Sequence, residues 1–207
     1  MVRKLAHQLV CVLATLEKLQ IIHCDLKPEN VALTSPSRAH IKVLDFGSSC
    51  SSPSKSQNLF PYIQSRYYRA PEILLGCHYS YPIDMWSLGC IITELYTART
   101  LFAGEDSIDQ FYSIVDVLGE PPISLLRNSV YLKKYYKIVD GKLYHKKDYQ
   151  WKHRKLSEIL TNKTPENKEE LESFLDLVSK MLEYDPDKRI KPIDALNHPF
   201  IINGLST

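Results

Sequence analysis

One stretch constrains the fold more than any other. From Pro82 to Thr97 the chain carries Ile83, Met85, Trp86, Leu88, Cys90, Ile91, Ile92, Leu95 and Tyr96, apolar nearly all round a helical wheel. A helix with no polar face has to be enclosed on all sides. The rest of the chain must therefore supply elements with one apolar face each. Residues 3–19 give such a face through Leu5, Leu9, Val12, Leu16 and Leu19. Residues 106–118 do so through Ile108, Phe111, Tyr112, Val115 and Leu118, and 170–183 through Leu171, Phe174, Leu175, Val178, Met181 and Leu182. A last short helix is expected from Pro192. Ile21-Ile22, Val31–Leu33 and Ile41–Leu44 are too short for helices and read as strands, with a turn at Ser35-Pro36-Ser37 and a polar loop over 51–58. The expectation is a mainly α fold with a few short strands near its start.

The glycines exclude a class of chemistry. Only seven occur in 207 residues, and they are scattered, so the chain has no G-x-G-x-x-G and no G-x-x-x-x-G-K-[ST]. Five cysteines without a C-x-x-C fit neither a zinc ribbon nor a disulfide framework and suggest free thiols in a reducing compartment. The histidines show no i, i+4 pairing and suggest no metal cluster. No apolar run has the length of a bilayer span, and the first residues do not read as a signal peptide. The chain is expected to be intracellular, in cytoplasm, nucleus or both, with no membrane partner. The net charge of +2 points to no particular polyanion. Residues 133–155 differ: nine cations stand against Asp140 and Asp148, interleaved with Tyr135, Tyr136, Tyr144, Tyr149 and Trp151. A surface that docks protein partners explains this pattern more economically than a nucleic-acid site, because no nucleic-acid module accompanies it.

The segment His23-Cys24-Asp25-Leu26-Lys27-Pro28-Glu29-Asn30 carries the sharpest signal, followed twenty residues after Asp25 by Asp45-Phe46-Gly47. Phosphoryl transfer needs such a set: a carboxylate to orient the acceptor hydroxyl, a cation to balance charge, and oxygen ligands for Mg²⁺. These residues resemble the protein-kinase catalytic loop H-R-D-L-x-x-x-N and the D-F-G that follows it, with Cys24 where the pattern has Arg. The resemblance implies Asp25 as catalytic base, Lys27 as the charge-balancing lysine, and Asn30 and Asp45 as Mg²⁺ and cofactor ligands. Ala70-Pro71-Glu72 matches the end of a kinase activation segment. By the same resemblance Asp84 holds the backbone of the catalytic loop containing His23, and Glu72 pairs with Arg189 of Asp185-Pro186-Asp187-Lys188-Arg189.

His-Cys-Asp, Asp-Phe-Gly-Ser-Ser-Cys and Tyr62-Ile-Gln-Ser-Arg-Tyr-Tyr-Arg-Ala-Pro-Glu together are similar to the dual-specificity tyrosine-regulated kinases (DYRK) of the CMGC group. That family autophosphorylates an activation-loop tyrosine and then acts on Ser and Thr. The matching residue is Tyr62, with Phe60-Pro61 in place of the first tyrosine of a Tyr-x-Tyr pair. Cys24 offers no guanidinium to a phosphate there, whereas Arg66 and Arg69 do. The resemblance runs over residues 1–203, with catalytic loop 23–30, activation segment 45–72 and a CMGC-type insert at about 120–165. It implies the helical large lobe of a kinase domain, MgATP as cofactor and protein substrates phosphorylated at Ser or Thr before proline. The Gly-rich loop, strand lysine and helix glutamate of the small lobe have no counterpart among these residues. The readings are a fragment of an active kinase, a catalytically inactive chain serving as an interaction module, or a chain completed by another.

Overall fold

The computed structural model describes residues 1–35, 39–51, 62–146, 152, 154–161 and 168–203. Part of the turn at 35–37, most of the polar loop, and Phe60, Pro61, Lys147, Asp148, Tyr149 and Trp151 lie outside them. The order is α1 (Val2–Lys18), β1 (Ile21–Ile22), a 3₁₀ turn (Pro28–Asn30), β2 (Val31–Ser35), β3 (His40–Val43), β4 (Cys50–Ser51), a second 3₁₀ turn (Arg66–Tyr68), α2 (Pro71–Leu74) and α3 (Pro82–Thr97). Then come α4 (Ser107–Leu118), α5 (Ile123–Arg127), α6 (Leu132–Tyr135), β5 (Tyr136–Val139), β6 (Lys142–His145), α7 (Leu156–Thr161), α8 (Lys168–Met181), α9 (Pro192–Leu196) and α10 (Pro199–Ile202). The fold is mainly helical. Among the described residues no helix is long and apolar enough to cross a membrane.

α3 is the hub. Every residue from Ile83 to Thr93 is buried, and α1, α7, α8 and the 66–68 turn pack around it. Gly89 lets α8 and the residue after it come close: a Cβ there would lie 3.0 Å from Met181 and Leu182. Trp86 is fully buried and stacks on Phe102 at 5.8 Å between ring centres. The helix ends at Ala98 in the left-handed region, φ 58°. The amphipathic helices lie within two residues of the bounds that their periodicity sets.

The strands form three separate antiparallel ribbons, β1–β4, β2–β3 and β5–β6. Gln8 of α1 locks the second, donating to the Ala39 carbonyl at 2.8 Å and accepting the Ile41 N–H at 3.1 Å. The third corrects the expectation that strands are confined to the start of the chain. Residues 136–145 form a hairpin whose turn, Asp140-Gly141, has φ 49° and 73°. Two consecutive positive φ values are what a two-residue hairpin turn requires. Its root is held by Glu120, which accepts from the Tyr136 hydroxyl and contacts His145.

Asp106 caps α4, accepting the N–H groups of Ile108 and Asp109 at 2.7 and 2.8 Å. Just before it, Gly104 lies against the α4 backbone, and a Cβ there would meet Gln110 N at 2.2 Å. No side-chain rotation relieves a collision with backbone. Gly104→Ala is therefore expected to cost about 2 kcal/mol through overpacking. Chemical denaturation checks this, and unchanged stability would contradict the close approach.

Candidate active site

The site is assembled on the first turn of α3. Asp84 is 3% exposed, and its carboxylate accepts the His23 N–H at 2.7 Å and the Cys24 N–H at 3.1 Å. Burial pushes the Asp84 carboxyl up to about 6, against the lowering effect of these two bonds. Cys24 sits in the left-handed region, φ 66°, which turns the chain so that the next residue faces the cleft. The Cys24 thiol is held well above its ordinary value, mainly by burial and then by Asp84. It lies 3.5 Å from Cys50, brought there by the β1–β4 pairing.

The His23 ring links the loop to β3. Its Nδ1 accepts the Asp25 N–H at 3.2 Å, so the ring proton resides on Nε2 and is donated to the Leu44 carbonyl at 3.1 Å. The Leu44 N–H in turn donates to the Asn30 carbonyl at 2.8 Å. Leu44 is thus pinned through both backbone groups, and this sets the position of Asp45. Asp45 has φ 60° and accepts the Gly47 N–H at 3.1 Å, while Phe46 packs on the His23 ring at 4.9 Å.

The Asp25 carboxylate is surrounded by donors. Oδ1 accepts the Ser65 N–H at 2.9 Å and the Ser65 hydroxyl at 2.7 Å. Oδ2 accepts the Lys27 ammonium at 2.8 Å. Lys27 also donates to Ser65 Oγ at 3.1 Å. Burial acts to raise the Asp25 carboxyl, but Lys27 and Ser65 outweigh it and hold it below its ordinary value. Asp25 is consequently ionised across the neutral range, and the same pairing raises Lys27. Asn30 Nδ2 donates to the Asp25 carbonyl at 2.8 Å, leaving Oδ1 as an oxygen donor. Asp45 likewise keeps one carboxylate oxygen free of the Gly47 N–H, and carboxylate and amide oxygens are the donor type that Mg²⁺ takes. Among the described residues no cluster of three His, Cys, Asp or Glu forms a complete protein cage.

The 62–72 segment is bolted to the same scaffold. Gln64 N donates to the Cys24 carbonyl at 2.9 Å. The Gln64 side chain donates to the Ile83 carbonyl at 3.0 Å and Ser87 Oγ at 2.8 Å, and accepts Ala70 N at 2.9 Å. Gln64 itself has φ 63°. Arg69 is buried, and its guanidinium donates to the Ile63 and Gln64 carbonyls at 2.9 and 2.7 Å. Its Cζ also lies 4.3 Å from the exposed Tyr62 ring centre. Arg66 is half-buried, and its Nε has no partner among the described residues. Hydrogen bonding from Arg69 first, then Arg66, draws the Tyr62 phenol below its ordinary value. Arg66 and Arg69 therefore stand in unequal settings, one half-open and one spent on backbone.

Glu72 and Arg189, 117 positions apart, form a bidentate pair at 2.7 and 2.9 Å with both side chains fully buried. Arg189 further donates to the Glu183 and Pro82 carbonyls at 2.8 and 2.9 Å and lies 5.3 Å over the Trp86 ring. Sequence reasoning did not single out Ser65, Gln64 or Leu44. Ser65 and Gln64 stand beside Arg66 in the Gln-Ser-Arg-Tyr run, but their roles depend on contacts with distant segments, and Leu44 acts only through its backbone.

The protein kinase domain model matches residues 1–201. The chain is 40% identical over 231 residues to the serine/threonine-protein kinase ppk15 of Schizosaccharomyces pombe, covering 97% of this chain and 42% of that protein. It is 43% identical over 210 residues to ppk5 of the same organism, covering 99% and 24%. It is 40% identical over 221 residues to dual specificity tyrosine-phosphorylation-regulated kinase 3 of Mus musculus, covering 97% and 36%. The chain thus spans less than half the length of each of these relatives.

The Asp84 geometry has a pH signature. A folded-state value of about 6 against an ordinary 3.8 means that the folded protein binds this proton more tightly than the unfolded chain. The associated stability is present below the ordinary value and lost as pH rises through about 6. Asp84→Asn cannot titrate. The stability difference between wild type and Asp84→Asn is expected to shrink by on the order of 1–3 kcal/mol from pH 4 to pH 7. Thermal melts across that range test it, and a difference that grows with pH would reverse the assignment.

Proposed function

From the premise that this chain belongs to the protein kinase family, among its DYRK-like members, we propose that it phosphorylates serine and threonine in proteins, with MgATP as cofactor. The described residues are then the large lobe of the kinase domain, with catalytic loop 23–30, activation segment 45–72 and an insert at about 120–165. The observation that carries this reading is the Asp25 carboxylate, ionised and fixed by Ser65 and Lys27 in a cleft of about 350 Å³ that also contains Ser48, Tyr62 and Arg66.

Asp25 accepts the hydrogen bond of the incoming hydroxyl and aligns its oxygen for attack. Lys27 reaches both Asp25 and the cleft floor and supplies positive charge where negative charge accumulates. Asn30 and Asp45 hold Mg²⁺, which when bound neutralises phosphate charge. Asp84 and His23 keep these groups in register, and the Glu72–Arg189 pair holds the activation segment to the helical core.

The Arg69 contacts support a preference for proline after the acceptor. The Ile63 and Gln64 carbonyls facing this part of the cleft are already taken by the Arg69 guanidinium. A substrate backbone N–H passing here meets two carbonyls that are already bonded, and leaving it unsatisfied costs about 1–3 kcal/mol. Proline has no N–H to satisfy. In the full-length protein, a Ser-Pro peptide is expected to show kcat/KM about tenfold above its Ser-Ala counterpart, given that penalty. Asp25→Asn is expected to lower turnover of both by roughly 10²–10⁴-fold with the melting temperature little changed. Phosphorylation by Asp25→Asn at the wild-type rate would sink the assignment.

Tyr62 is the proposed autophosphorylation site. Its phosphate is received by Arg66, whose Nε is unpartnered among the described residues, and by the Arg69 guanidinium beside the ring. Tyr62→Phe in the full-length protein is expected to lower both protease resistance of the activation segment and peptide turnover. Wild-type behaviour in both assays would remove Tyr62 from a regulatory role.

A further inference from the structure

The proposed catalytic cleft does not end at Tyr62 and Arg69. On the far side of these two residues lies a second cavity of about 270 Å³, walled by Ile73 and Leu74 of α2 and by Tyr131 and Lys134. Tyr62 and Arg69 line both spaces. A peptide whose hydroxyl rests on Asp25 and whose chain continues past Gln64 is led towards the second cavity. The cavity therefore meets substrate residues that follow the acceptor in the chain.

The outer wall comes from the segment leading into α6, at the start of the stretch expected to be an insert. It is not loosely laid on the core. Ser129 Oγ donates to the Leu75 carbonyl at 2.7 Å, Tyr131 N donates to the same carbonyl at 3.1 Å, and the Tyr135 hydroxyl donates to the Leu74 carbonyl at 2.8 Å. The Tyr131 ring lies directly over Gly76, where a Cβ would be 2.6 Å from a ring carbon. Gly76 has φ 66°, so any side chain there is disfavoured twice. These bonds make the 129–135 segment a rigid continuation of the helix that carries Glu72. A wall held this firmly can discriminate between ligands.

Its chemistry is uneven. Ile73, Leu74 and the Tyr131 ring give an apolar lining. Lys134 stands at the cavity, exposed, with its ammonium 5.7 Å from the Tyr135 ring centre and no carboxylate partner among the described residues. We infer that this cavity is a substrate subsite that takes an apolar side chain downstream of the phosphoacceptor, with Lys134 selecting an acidic neighbour. The inference rests on the kinase reading above and deepens it. The occupant is set by continuity with the catalytic cleft through Tyr62 and Arg69, and by the charge of Lys134.

The test uses the full-length protein and four Ser-Pro peptides that differ only downstream: Leu with Asp, Leu with Lys, Gly with Asp, and Gly with Lys. The Leu–Asp peptide is expected to have the lowest KM, with each single change raising it about fivefold, the effect of one partly exposed ion pair or one partly filled apolar site. Lys134→Glu, an exposed position where the charge reversal leaves the core untouched, is expected to invert the Asp-over-Lys preference. A merely structural role for Lys134 would shift all four peptides together, and that result overturns the proposal. Equal KM for the four peptides on wild type also overturns it. So does binding of the Leu–Asp peptide that leaves phosphorylation unaffected, which would make the cavity a separate docking site. Failure to phosphorylate any of the four would sink the kinase reading itself, whereas phosphorylation without discrimination sinks the subsite alone.

Discussion

A single buried carboxylate gives the cleft its frame of reference. Asp84 belongs to the stretch of α3 that is buried without a break from Ile83 to Thr93, so it has no freedom to follow the loop it binds. The loop must follow it. Two N–H groups, on residues 61 and 60 positions earlier, are held to one side chain. That grip stabilises the left-handed backbone at Cys24, a conformation that costs a non-glycine residue about 1 kcal/mol. The Cys24 carbonyl then receives Gln64, and the 62–72 segment inherits the same reference. The 23–30 loop and the 62–72 segment are aligned because both are measured from α3.

The two arginines most involved in the site show how differently one side chain type is used. Arg189 gives up all exposure to hold Glu72, and its remaining donors go to backbone carbonyls. Breaking such a pair on one side leaves a charge in the core and costs far more than the intact pair contributes. Arg69 has a similar burial but divides its guanidinium between the Ile63 and Gln64 carbonyls and the Tyr62 side chain. Neither residue acts as a solvated charge.

Much of this was legible in the sequence, and the limits have physical causes. The enclosed helix announces itself because Ile83, Met85, Trp86 and Leu88 leave no polar face, and the helices around it because one-sided periodicity is a local property. The grouping of Asp25, Lys27 and Asn30 is equally local, since all three fall within the one segment 25–30. The β5–β6 hairpin was missed although Asp140-Gly141 is a strong turn signal. Its lysines interrupt the alternation, and the apolar Ile138 and Leu143 stay largely exposed, so no core pattern marks the strands. The two-residue strand Cys50–Ser51 exists only through its pairing with Ile21–Ile22 and has no signature of its own. Gln64 and Ser65 were missed for a related reason: their partners lie 19 to 40 positions away.

The separation of Glu72 from Arg189 has a consequence for how the chain is made. Synthesis runs from the N-terminus at about 5–20 residues per second, and domains begin to fold as they emerge. Over the 117 positions that separate the two partners, Glu72 belongs to a helix whose every residue is destined for burial, with its counter-ion still untranslated. An unpaired carboxylate resists entering an apolar core. The burial of α2 is therefore postponed until Arg189 has been made. Docking of α2 is thus a closing step rather than a gradual accretion.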